Sequence, residues 1–301
     1  AYIQAAAFAG MISLLSCAFS GFPDAWYLFW RIISGISGGL IMILSPSIVA
    51  QCSELKDRFT INFIGFSGIG IGVLLATLFL PYLDQIAIRT AWLILTGFAF
   101  CIGIILSLLL KGLKPLLASE IPRSGAKAEL NTLFFSLVAV YGCSAFAYVP
   151  HSLFWIDYLT QVLKLDLFWM NFNWILYGSG SALGAFCAYL LAKKLGNFNT
   201  LKMLYCTYVF AIAVAVLNIS PFFTFMSSFL TGLLNPAVVF LTSYTILQLY
   251  GNAYKKLWSI ATLTFAAPIA WKNTGVIREN TAEKKLSPIM RGMSRMDFER
   301  I

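Results

Sequence analysis

Long apolar runs alternate along the chain with short polar or basic clusters. By approximate limits the runs cover residues 2–20, 25–49, 61–82, 90–110, 131–154, 168–191, 202–219 and 222–249, with a shorter one at 257–271. A bilayer core roughly 30 Å thick takes about 20 helical residues to cross, so the first eight runs are predicted to span a membrane. The ninth stops before Lys272 and contains Pro268, so it barely reaches. No run shows the period-two alternation of a membrane barrel, and the expected architecture is an all-α polytopic membrane protein of eight or nine helices.

Composition agrees: of 301 residues, 59% are hydrophobic and 11% charged, a balance outside that of soluble domains. Charge then adds orientation. The loops between alternate runs hold Lys56 and Arg58, then Lys111, Lys114, Arg123 and Lys127, then Lys193, Lys194 and Lys202, then Lys255 and Lys256, while the intervening loops hold only Arg89 and Lys164. Positive loops stay cytoplasmic, so the first run is expected to go from inside to outside. The +9 net charge therefore reports topology, and nucleic acid is not an expected partner. Six scattered cysteines lack metal or redox spacing and read as small packing residues.

The chain also overlays on itself. A shift of about 197 residues lays residues 29–39 over 226–236, so that Arg31 meets Ser228 and Gly35 meets Gly232. With one residue of slack the basic turn and next run at 55–68 meet those at 253–267. Two pseudo-repeated halves are expected, as in many transporters. The counterpart of the run at 90–110 would fall near 287–307, where SPIMRGMSRMDFERI cannot form a span. Two readings follow for the end of the chain: a short re-entrant helix with a cytoplasmic tail, or native sequence lost after about residue 266.

Several motifs carry a family resemblance. WRIISGISGGL resembles the R-x-x-x-G-x-x-x-G signature of the fourth helix of major facilitator superfamily transporters. KGLKPLLASEIPRSGAKAEL resembles the link between that superfamily's two halves. NFIGFSGIGIGVLLA, RTAWLILTGFAF, YGCSAFAYVPHSLF, WILYGSGSALGA and LAKKLG together resemble its YbfB/YjiJ-type branch, over residues 1–266. The resemblance implies a partial N-terminal half at 1–110 (family helices 3–6), a cytoplasmic linker at 111–130, a C-terminal half at 131–271 (family helices 7–11) and a polar tail at 272–301, non-native on the second of those readings. It gives no counterpart for family helices 1, 2 and 12. It implies a secondary transporter or facilitator that moves a small organic solute by alternating access, with protons as a possible co-substrate and a bacterial inner membrane as the location. The alternative is a truncated remnant that folds in the membrane and transports nothing.

Two groups of residues are candidates for chemistry. Arg31 sits within an apolar run, where a guanidinium costs at least about 2.5–3.5 kcal/mol at the helix centre unless it faces protein or water. Gly35, Gly38 and Gly39 follow at helical spacing and give it a thin face for close packing; the resemblance implies an inward arginine tied to coupling or substrate charge. The plainer reading is an interfacial anchor. In the fifth run, Tyr141, Ser144, Tyr148, His151 and Trp155 recur every three or four residues beside Pro150, a polar-edged aromatic stripe suited to an amphipathic solute. His151 is the sole histidine and a candidate for proton exchange; Trp155 reads better as a packing or belt residue. Gly68 and Gly72, Gly180 and Gly184, and Gly232 with Ser228 and Pro236 form small-x-x-x-small ridges and are expected packing seams together with Gly35 and Gly39. LAKKLGNFNTLK resembles a copy of the superfamily's cytoplasmic gating loop without its acidic residue. No enzyme signature, paired intramembrane carboxylates or metal-binding spacing appears, so neither enzyme activity, a cofactor, a metal nor an ATPase partner is expected.

Overall fold

The computed structural model describes residues 2–19, 21–52, 56–83, 86–112, 131–217 and 220–267. Most of the linker at 111–130 and the whole tail at 272–301 lie outside them, and so do the two readings for the end of the chain. The helices are α1 (Tyr2–Cys17), α2 (Asp24–Cys52), α3 (Arg58–Leu83), α4 (Ile88–Gly112), α5 (Thr132–Val149), a one-turn α6 (Trp155–Asp157), α7 (Leu167–Leu195), α8 (Asn197–Leu217) and α9 (Pro221–Tyr250), followed by α10 at 254–267. Seven of them are long and apolar enough to cross a membrane, and no strand occurs among the described residues.

Local chemistry sets several boundaries. Asn131 and Asp166 cap α5 and α7, their side-chain oxygens accepting from Phe134 N and Trp169 N at 3.0 Å each; such caps satisfy amides with no intrahelical acceptor. Gly196 ends α7 at φ +79°, a conformation glycine adopts without strain, and α8 starts at the next residue. The fifth run departs most from expectation. It was expected to close at 154, but helical backbone continues to Val162 as a π-helix over Pro150–Phe154, α6, and a second π-helix over Tyr158–Val162. Pro150 has no N–H to give to the preceding turn, and its ring crowds the carbonyl four residues back; widening the turn relieves both.

The core lies in the C-terminal part. α9 packs most heavily on α7 and next on α8, and α7 also packs on α3. Phe240, Leu241, Ile246, Ala237 and Trp258 are fully buried there. Trp258 of α10 joins the two parts, meeting Phe66 of α3 edge-on and donating from Nε1 to Met42 O of α2 at 3.2 Å. α1 packs against α2 and α4, leaving a cleft of about 700 Å³ among α1, α2, α3 and α4, lined by Ser34, Gly38, Ile41, Asn62 and Gly65 among others. Of the cysteines expected as packing residues, Cys17 is buried, whereas Cys101, Cys143 and Cys206 are exposed.

Seam glycines divide into two kinds. A Cβ added to Gly180 would come within 2.1 Å of Phe229 O, one on Gly184 within 2.2 Å of Leu233 O, and one on Gly232 within 2.1 Å of Tyr177 O. The α7 and α9 backbones therefore touch along this line. At Gly35, Gly39, Gly68 and Gly72 an added Cβ meets no atom within 4 Å. On α3 the close approach falls on Gly70, beside Ser181 O, answered on α7 by Gly178 beside Thr77. Gly70 lies two residues from both Gly68 and Gly72, on nearly the opposite face of the helix, which corrects the expected seam on α3.

Candidate functional site

Where α5 ends and its π-helical extension begins, five polar side chains meet inside the bundle. His151 is 2% exposed, and its Nε2 lies 3.0 Å from Ser227 Oγ. Ser227 Oγ donates to Ala211 O of α8 at 2.8 Å, so its proton is committed and the contact places the N–H on Nε2. The imidazole stacks on Trp155 with centroids 4.1 Å apart. Trp155 Nε1 donates to Ser228 Oγ, and Ser228 Oγ donates to Asn173 Oδ1, both at 2.8 Å. Asn173 Nδ2 closes the chain on Trp169 O at 3.1 Å. Two hydrogen-bond chains, joined by the His151–Trp155 stack, thus tie the extension of α5 and α6 to α7, α8 and α9, and His151 Nδ1 has no partner among the described residues.

The local sequence explains the convergence. Ser227 and Ser228 lie on one face of α9 with Thr224 and Thr231, all buried, at the three- and four-residue spacing that stacks side chains. Asn173 lies one turn beyond the exposed start of α7, and α6 turns Trp155 inward to 5% exposure. Trp155, read as a packing or belt residue, is a hydrogen-bonding member of this site. Sequence reasoning missed Asn173 and Ser227 and placed Ser228 only in a packing ridge; the four-residue recurrence of hydroxyls on α9 was the available signal.

One turn further in, Tyr148 is half-buried and its hydroxyl approaches that of Tyr177. Tyr141 is buried and stacks on Phe265 of α10 at 4.8 Å. Tyr208 of α8 is buried, and its hydroxyl, like Thr231 Oγ1, has no partner among the described residues. Tyr254 pairs with Ser243 at 2.6 Å, and Tyr205 with Thr242 at 3.3 Å. The stripe on α5 therefore faces a tyrosine- and threonine-lined interior with unfilled hydrogen-bonding capacity.

Arg31 is not part of this group. It lies on an exposed face of α2, with its guanidinium 4.6 Å from the centre of the Trp92 ring on α4, a cation–π contact. At the opposite end of the bundle, Tyr189 of α7 stacks on Phe59 and Phe63 of α3 at 5.0 and 4.6 Å, and meets Thr60 Oγ1 at 3.1 Å. Lys193 lies over the same ring at 4.4 Å. This aromatic clamp joins α3 to α7 at the end expected to face the cytoplasm.

Residues 1–272 match the model of a family described as "Uncharacterised MFS-type transporter YbfB". No curated protein matches the chain.

Proposed function

Because the chain belongs to this YbfB-type family of the major facilitator superfamily, and so is a multi-pass membrane protein of a transporter family, we propose that it moves a small organic solute across a bacterial inner membrane by alternating access, without chemical conversion. The observation that carries the reading is the polar, aromatic interior of the α5–α7–α8–α9 bundle. Ionisable and hydroxyl groups are costly inside a membrane and mark pathways for solutes or ions. A half-buried Tyr148 beside Tyr177, with Tyr208 and Thr231 offering unpaired hydroxyls, suits a solute that has an apolar body and one or two polar atoms. His151 holds a hydrogen-bonded Nε2 and a buried, unpaired Nδ1, which makes its ring the candidate for proton exchange. Arg31, at the outer third of α2, supplies charge for coupling or for an anionic group on the solute. The α3–α7 contact supports movement: glycines allow close approach on both sides, Gly70 against the Ser181 backbone and Gly178 against the Thr77 side chain, and the aromatic clamp at Tyr189 is a closure that rocking would open.

The test is uptake into proteoliposomes across a panel of amphipathic solutes, with and without an inward proton gradient. Uptake of at least one solute is expected, with its gradient dependence lost in His151→Gln and transport abolished in Arg31→Ala while membrane insertion stays intact. Gradient-driven uptake unchanged in both variants would remove both residues from the mechanism. Absence of uptake for every solute would remove the transport reading.

A further inference from the structure

Charge is distributed unevenly along the C-terminal part of the chain. Residues 167–278 hold no Asp or Glu, yet they include Lys193, Lys194, Lys202, Lys255 and Lys256. The first two stand in the last turn of α7, and α8 follows with no acid in its own first turn. These lysines therefore find no carboxylate on their own or the neighbouring helix.

Lys193 opens onto a cavity of about 590 Å³, where the ends of α7 and α9 meet the starts of α3 and α8. That volume suits a small-ligand site, and no acidic side chain lines it. Asn197 Nδ2 donates to Gln248 Oε1 at 2.8 Å, which engages the Gln248 acceptor and leaves its Nε2, a donor, without a partner among the described residues. The Lys193 ammonium lies 4.4 Å over the Tyr189 ring; a cation–π contact takes one side of the cation and leaves the others to an anion. The cavity thus offers a positive charge and an amide donor from two different helices.

Its apolar surroundings narrow the occupant. Phe59, Phe198 and Leu249 share the lining with these polar groups. From Lys193 an apolar track leads back along α7 through Leu190, Phe186 and Leu183, which are 44, 47 and 46% exposed and lie three or four residues apart on one helix face. A basic group at the end expected to face the cytoplasm, continued by an apolar track towards the middle of the span, has the layout of a phospholipid: headgroup at the interface, acyl chain below it. Basic pockets between helices on that side of a membrane are sites for anionic headgroups. A soluble anion would use the donors and leave the track uncovered.

We propose that this cavity binds the phosphate headgroup of an anionic phospholipid, with one acyl chain lying along Leu190, Phe186 and Leu183. Phe59, part of the cavity wall, stacks on Tyr189 at 5.0 Å, so a bound headgroup touches both sides of the aromatic clamp and braces α3 against α7. Binding of the lipid does not depend on the transport reading.

The test offers the purified full chain equal amounts of phosphatidylglycerol and phosphatidylcholine with the same acyl chains, counts bound lipid by native mass spectrometry, and records thermal melting with each. An enrichment of phosphatidylglycerol of about fivefold is expected, the effect of one lysine near an anionic headgroup, with a higher melting temperature than in phosphatidylcholine. Lys193 is exposed, so its variants should fold. Lys193→Gln is expected to abolish the enrichment, whereas Lys193→Arg and Lys202→Gln retain it; Lys202 is also exposed but lies outside the cavity. No enrichment in the unaltered chain overturns the proposal. So does an equal loss in Lys193→Gln and Lys202→Gln, which would mean a diffuse basic surface. A rise in melting temperature with inorganic phosphate alone, in lipid-free detergent, as large as that with phosphatidylglycerol would overturn it in favour of a soluble anion.

Discussion

α2 and α9 are alike in length and hydropathy and opposite in burial. They have 29 and 30 residues and nearly the same hydropathy, and each carries an internal proline and a ridge of small residues. Yet 67% of the membrane-crossing stretch of α9 is buried, against 6% of that of α2. Burial here is a property of neighbours. α9 is enclosed because α7 and α8 lie along it and α5 reaches its outer third through His151 and Trp155, and Ser227, Ser228 and Thr242 meet hydrogen-bonding partners there. α2 has α1 on one side and an open cleft on the other.

The sharpest way to break this comparison is to place the same side chain at the two paired glycines. Gly232→Leu forces a side chain into the Tyr177 backbone and is expected to cost about 3 kcal/mol or more of stability, at the upper end for overpacking. Gly35→Leu in the same chain is expected to change stability by no more than about 0.5 kcal/mol, as a substitution facing open space does. Equal losses in thermal unfolding of the purified proteins would mean that the two faces are alike.

Ser228→Ala probes the polar chain and leaves Trp155 Nε1 and Asn173 Oδ1 without their partner. A loss of about 1–3 kcal/mol is expected, the usual cost of stranding buried polar groups, together with a shift in the fluorescence of the tryptophans near the site. Asn131→Ala removes both the α5 cap and the acceptor of Tyr250 Oη, which donates to it at 2.7 Å; about 1 kcal/mol is expected, read as earlier melting of the C-terminal bundle. Smallest of all, Arg31→Ala removes one exposed cation–π contact and should cost about 0.5 kcal/mol. A stability loss in Arg31→Ala as large as that in Ser228→Ala would show that the two counterparts are equally embedded.

The positions of the helices were legible because each needs a run of apolar residues long enough to cross a bilayer, and α2, α3, α4, α7 and α9 begin and end close to the limits of their runs. The Gly180–Gly184–Gly232 seam was legible for the same reason, since backbone contact between helices requires small residues at helical spacing. Spacing alone could not say which glycine face meets a neighbour. Gly68 and Gly72 satisfy the pattern as well as any pair, but the contact is made by Gly70 on the other side of α3. The polar site was half legible: the α5 stripe shows in local spacing, whereas Ser227 and Ser228 join it from 76 and 73 positions away, and Asn173 enters only through Ser228. Serines on an apolar helix announce no partner of their own.

The two π-helical turns after Val149 make this stretch a vernier on the chain. A π turn holds one residue more than an α turn for the same closure, so each adds a phase step of about 100° to every side chain beyond it. Chain length between Pro150 and Val162 therefore sets which residues of this terminal stretch point into the bundle. Removing a single residue from the first of these turns would restore ordinary winding there at the expense of that phase, turning Leu159, now fully buried, out of the interior. In evolutionary terms, length in this segment is fixed by rotation, and single-residue insertions or deletions should be rarer here than in the turns between helices.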